Sequence, residues 1–151
     1  MATYFRIVQV QWSLDAMSGE GARRYGGRWN PPGIPAVYLA GSRALAALEI
    51  MVHVPRQMLQ VDWRIIRVEV PDDWIEEAAP PPPGWRKFPV SDVARSIGGP
   101  WLVARKTVAL RLPSAIIPQE HTLLVNPAHT SAGDLQVSDP ELISFDARFS
   151  A

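Results

Sequence analysis

The stretch GGRWNPPG, residues 26–33, constrains the fold before any other feature does. Gly26, Gly27 and Gly33, with Pro31 and Pro32 among them, exclude both a helix interior and a paired strand. The chain must loop here. The punctuation extends over residues 13–35, which also hold Gly19, Gly21 and Pro35. Long loops in compact domains are functional or disordered. Arg23, Arg24, Arg28 and Trp29 argue against simple disorder, so this loop is expected to carry function.

Regular elements are expected on either side of it. YFRIVQV, 4–10, alternates and is rich in β-branched and aromatic residues, which predicts a strand. AVYLA, 36–40, reads as a short buried strand. Ser42 is placed to cap a helix that runs to about His53 and is stopped by Pro55. VDWRIIRVEV, 61–70, predicts a strand ending at Pro71, and APPPPGW, 79–85, a stiff polyproline crossing. SDVARSIGG, 91–99, predicts a short helix capped by Ser91 and terminated by Gly98. Strands are expected at 107–112, 122–127 and 141–149. No repeat or linker divides the chain. Residues 1–151 are therefore expected to form one α+β domain, with a mixed or antiparallel β core and short flanking helices.

Composition excludes several functions. The chain has no cysteine, so disulfide frameworks and thiolate nucleophiles are absent. Fifteen basic and fifteen acidic residues give no net charge, which argues against direct nucleic-acid binding. His53, His121 and His129 lack metal-ligand spacing, so no metal is expected. No apolar run is long enough for a membrane span, and the amino terminus does not read as a signal peptide. A cytoplasmic protein is expected. Six tryptophans, with Trp12, Trp85 and Trp101 in or beside loops, would suit an interface, including a homodimer.

Chemistry is carried by the helix SRALAALEIMVHV. With Leu45 as origin, Leu48, Glu49 and Val52 fall on one expected buried stripe. A buried, unpaired carboxylate costs several kcal/mol. Glu49 thus either braces the fold by pairing with an arginine or serves a ligand. Arg28 and Tyr38 are separated from it only by the loop and one short strand. An arginine on a Gly-rich loop suits phosphate. A tyrosine offers a stacking face, and a carboxylate can accept from sugar hydroxyls. Converged, they would describe a nucleotide site.

The ordered set of a Gly-Gly-Arg-Trp-Asn loop, a Val-Tyr-Leu strand and an Ala-Leu-Glu helix resembles the RES domain family. YFRI, LPSAIIPQE, NPAH and FDARF extend the resemblance over essentially the whole chain. It implies a fold similar to that of ADP-ribosyltransferase toxins. It also implies the role of a toxin in a type II toxin–antitoxin pair that consumes NAD+. The implied partner is an Xre-type helix-turn-helix antitoxin whose tail blocks the site. Carried over by residue, the resemblance implies a site of Arg28, Tyr38, Glu49 and Ser114, with Arg6 and Asn30 helping to bind the dinucleotide. Arg28, with Arg6, would hold the diphosphate, Tyr38 the nicotinamide-ribose end, and Glu49 the cationic ribose. Ser114 would bond ligand or orient Glu49. Trp29 and Asn30 would lock the loop, with the prolines stiffening it. Water, phosphate or a protein side chain could be the acceptor, and a non-catalytic binding module of the same fold is the remaining alternative. Arg23, Arg24 and Arg111 are candidate cations for a phosphate acceptor.

Overall fold

A computed structural model describes residues 1–151. The strands are β1 (Ala2–Gln9), β2 (Val37–Ala40), β3 (Trp63–Val70), β4 (Ile75–Glu77), β5 (Ala109–Pro113), β6 (His121–Val125), β7 (Gln136–Val137) and β8 (Glu141–Ile143). The helices are α1 (Glu20–Tyr25), α2 (Arg43–His53) and α3 (Asp92–Ala104). The strands form one sheet in the order β4-β5-β6-β2-β1-β3-β7, with β8 also beside β3. Every pairing is antiparallel except β4 with β5, so the sheet is mixed. This is the expected α+β domain. No helix is long and apolar enough to cross a membrane.

Residues opposed across an antiparallel ladder share a face of the sheet. Val37, Leu39, Leu123, Val125 and Ala109 fall on one face, which closes with Tyr4, Val8, Ile66 and Val68 into the largest core cluster. The opposite face is covered in two places. Leu45 and Ala46 of α2 pack on Phe5, Ile7, Ala40 and Ile65. Ala94, Trp101 and Leu102 of α3 pack with Trp29 on Leu110, Leu112 and Leu124. Between these covers the sheet is also weakest. β1 pairs with β3 along its whole length but meets β2 at only one opposed pair, Phe5 and Ala40.

Several local expectations change. The 13–35 segment is not structureless, because α1 lies inside it and Arg23 pairs with Glu20 at 2.8 Å. α3 does not end at Gly98; it runs on to Ala104, through Gly98, Gly99 and Pro100. Gly98 is needed for close approach instead. A Cβ there would lie 1.9 Å from the carbonyl oxygen of Trp29. Ser91 does not cap α3 but donates to the Gly84 carbonyl. The last strand stops at Ile143, because Phe145 turns into the α2 core and Asp146 caps a 3-10 turn at Ala147–Ser150. The apolar stripe of α2 is rotated from expectation. Val52 is 60% exposed, while Ile50 and Met51 pack on the core. Ser42 caps α2 as expected, accepting from Leu45 N at 3.0 Å. Of the loop tryptophans only Trp12 is exposed; Trp101 is buried and Trp85 stacks on Trp29.

Candidate active site

The gap between the two helical covers is a cleft of about 640 Å³. Its size suits a small molecule, since ligand pockets span roughly 300–1,000 Å³. Arg6, Tyr38 and Thr122 line it from the sheet, Glu49 and His53 from α2, and residues 26–29 from the loop. Arg95 of α3 and the turn residues Ala115 and Ile116 complete the wall, with Phe88 and Val90.

The loop is built around two buried polar groups. Asn30 is fully enclosed, and its amide nitrogen donates to the carbonyls of Ala22, Pro31 and Ile34. Its side-chain oxygen accepts from the Tyr38 hydroxyl at 2.6 Å. That hydroxyl also accepts from the Trp29 backbone N–H at 2.9 Å. Burial pushes the Tyr38 pKa up to about 12, so the phenol is a neutral donor at physiological pH. Gly27 lets the ring in, because a Cβ there would stand 2.5 Å from the hydroxyl. Tyr38 therefore reaches the cleft with its ring while its polar end ties the loop. The Asn30 side chain does not reach the cleft at all.

The charged groups are set differently from a bracing pair. Glu49 makes no ion pair with an arginine; its one close titratable neighbour is His53, at 3.7 Å. Its side chain is one-third exposed, on the cleft wall and not within the core. Burial raises its pKa above the ordinary value, while the Arg28 charge and the Ser114 hydroxyl pull it back. Loss of solvent and the Arg28 charge hold the His53 imidazole below its usual pKa, so it is neutral at pH 7. Arg28 Nη1 donates to the carbonyls of Trp85, at 2.9 Å, and Lys87, at 3.0 Å. Its pKa is lowered by desolvation, partly offset by Glu49.

Arg6 stands in the split between β1 and β2. Nη1 donates to the Tyr38 carbonyl at 3.1 Å, and the buried Nε has no partner. No carboxylate faces it, and desolvation lowers its pKa. A buried cation without a counter-ion is costly. An anionic group entering the cleft would relieve that cost.

Arg6, Arg28, Tyr38 and Glu49 are thus brought together. Ser114 is buried close to Glu49, and its hydroxyl accepts from the N–H groups of Ile116 and Ile117. Of the candidate phosphate cations, Arg23 is taken by Glu20, and Arg111 by Glu77 and the Tyr4 hydroxyl. Sequence reasoning missed Arg95 and Phe88. No local pattern marks either one; Arg95 is recruited because its Nε donates to the Gly27 carbonyl at 3.0 Å. No group of three or more acidic or histidine side chains converges to hold a metal ion.

The RES domain model matches residues 3–146. A Sphingobium protein described as a Prs ADP-ribosylating toxin is 39% identical over 142 residues, covering 91% of this chain and 88% of its own. The toxin Res of Yersinia enterocolitica is 35% identical, covering 95% and 97%. The NAD(+) phosphorylase MbcT of Mycobacterium tuberculosis is 43% identical over a shorter segment, 38% of this chain and 35% of its own. Among solved structures, the M. tuberculosis MbcT–MbcA toxin–antitoxin complex contains a chain that matches with a TM-score of 0.75 and 25% identity. The match covers 95% of this chain and 84% of that one.

Proposed function

This chain belongs to the RES domain family, and from that premise we propose that it is a toxin that cleaves the nicotinamide–ribose bond of NAD+. The observation that carries the reading is the placement of Glu49 beside Arg28 in one cleft, unpaired by any arginine. The C–N bond breaks with its electron pair on nicotinamide, which leaves neutral. Positive charge then spreads over the ribose. A preorganised carboxylate in a poorly solvated cleft stabilises such charge far better than water-exposed groups do. Glu49 takes that role, held by the Ser114 hydroxyl. Arg6 binds the diphosphate, supported by its unpartnered Nε. Arg28 adds charge from the loop and fixes the segment at 85–87. Tyr38 presents its ring to the nicotinamide-ribose end, and Asn30 acts through the loop geometry.

An acceptor oxygen then bonds to the anomeric carbon. The relative named as an NAD(+) phosphorylase favours phosphate. The relative named as an ADP-ribosylating toxin favours a protein side chain, which is the second reading. Likeness to a toxin–antitoxin complex supports an antitoxin partner, which we assign to the Xre helix-turn-helix type. Exposed Trp12 and Leu14 offer a surface for a homodimer. A cytoplasmic site of action, where NAD+ is held, is part of the same proposal.

Chromatography of NAD+ incubated with purified protein tests the reading, with and without phosphate. Nicotinamide release by the parent, and not by the Glu49→Gln variant, supports it. ADP-ribose then identifies water as acceptor, its phosphate ester identifies phosphate, and label on protein identifies transfer. Intact NAD+ without phosphate, with phosphate and with added bacterial lysate as a source of acceptor protein defeats the reading and leaves the binding-module alternative.

A further inference from the structure

The segment that follows the polyproline run has no part in the chemistry above, yet it reaches the cleft with Phe88 and Val90. Pro80–Pro83 lead out of β4 as a stiff stretch. Residues 84–91 are then pinned on both sides. Arg28 holds the Trp85 and Lys87 carbonyls on the loop side. Arg86 donates to Ala115 O at 2.6 Å and Ile116 O at 3.1 Å, on the turn that follows β5. Ser91 closes the segment onto Gly84 at 3.1 Å, and the Trp85 ring stacks on Trp29 with centroids 5.7 Å apart. The result is a strap with a fixed backbone.

That strap presents Phe88, which lines the cleft and is 90% exposed. Tyr25, at the end of α1, lines the same cleft from the loop side and is 78% exposed. Phe88 sits on a tethered backbone, so its exposure does not come from a frayed loop. A large apolar ring held in water at a cleft mouth has surface to gain by covering a flat ligand group.

We propose that Phe88 positions substrate by stacking on the adenine base of the dinucleotide, with Tyr25 bounding the same subsite. This deepens the NAD+ reading and rests on it. The charges decide which base is concerned. Glu49 must face the nicotinamide ribose, and the diphosphate must lie along Arg6 and Arg28. The adenosine end alone is left for an uncharged aromatic rim. Stacking needs only a π-face, so the subsite would favour a purine ring without reading its edge.

The test compares NAD+ with nicotinamide mononucleotide, which has the same scissile bond and no adenosine, using the full chain and Phe88→Ala and Phe88→Tyr variants. Phe88→Ala is expected to raise KM for NAD+ about tenfold with kcat changed less than about threefold. Phe88→Tyr should restore KM, and neither variant should alter cleavage of the mononucleotide. An unchanged KM for NAD+, or equal losses on both substrates, overturns the proposal. Calorimetry with ADP-ribose gives a readout free of turnover. A roughly tenfold weaker Kd in Phe88→Ala is expected, and an unchanged Kd overturns the proposal. If the parent binds ADP-ribose through Phe88 but cleaves no NAD+, the subsite stands and the assigned reaction falls.

Discussion

Replacing Glu49 by Gln keeps the side chain's shape and removes its charge. At an effective dielectric constant near 20, a unit charge about 4 Å from a developing cation contributes about 4 kcal/mol. Removing one preorganised electrostatic group costs about 10²- to 10³-fold in kcat. Glu49 lies on the cleft wall, where burial raises its pKa and Arg28 and Ser114 pull it back. The Glu49→Gln protein should therefore lose about 100- to 1,000-fold in kcat, with KM within about threefold, because the carboxylate acts on the transition state. Nicotinamide release at saturating NAD+ measures this. A kcat within threefold of the parent refutes the assignment. Stability should move the other way. Burial raises the native pKa of Glu49 above its ordinary 4.5, so the native state binds that proton more tightly than the unfolded chain. The associated stability is lost as pH rises from the ordinary value through the raised one, and it remains lost at neutral pH. Glutamine removes that penalty, so the melting temperature should hold or rise. A clear fall would mean that Glu49 braces the fold. The acid limb of kcat should likewise lie above pH 4.5, since the protonated carboxyl cannot stabilise a cation.

Three further outcomes are expected. Arg6→Met removes a half-buried cation that has an enclosed, unpartnered Nε and no counter-ion; thermal melting should show equal or greater stability. The same variant should raise KM for NAD+ about tenfold or more, the scale of one lost charge-assisted hydrogen bond. Tyr38→Phe strands the Trp29 N–H and the Asn30 side-chain oxygen. It should cost about 1–3 kcal/mol, read as a melting temperature lower by roughly 2–12 °C; an unchanged midpoint would refute the account of the loop. Gly98→Ala forces a Cβ against the Trp29 carbonyl and should cost about 3 kcal/mol or more by denaturant titration. Gly133→Ala, where nothing lies within 4 Å, is its control.

The regular elements were legible wherever period and punctuation agreed. β1, β2, α2 and β3 lie close to their expected places, and Ser42 caps as its type predicts. Errors came where a tertiary contact outranked a local signal. Gly98 has the composition of a helix end, but it serves the approach of Trp29 from a loop far away in sequence. The alternation at 141–149 continues past the strand, yet Phe145 is claimed by the α2 core. β4 is only three residues long and pairs in parallel with a strand more than thirty residues later. No short window contains that information.

Site legibility follows the same rule. Glu49 was visible because a charge sits badly in an apolar helix, whichever face of that helix proves to be the buried one. Arg95 and Phe88 were invisible because each fits its own surroundings and gains meaning only across the cleft. The loop shows why residue identity and role must be separated. Trp29 and Asn30 were expected to lock it, with its prolines stiffening it. In the fold the stiffness comes from a fully buried amide making four hydrogen bonds, one of them to Tyr38. Asn30 and Tyr38 therefore constrain where Arg28 can stand through polar groups that bond to each other. Changes at Asn30 should then resemble a displaced Arg28, in both substrate binding and the anchoring of the strap, more than the loss of a substrate contact.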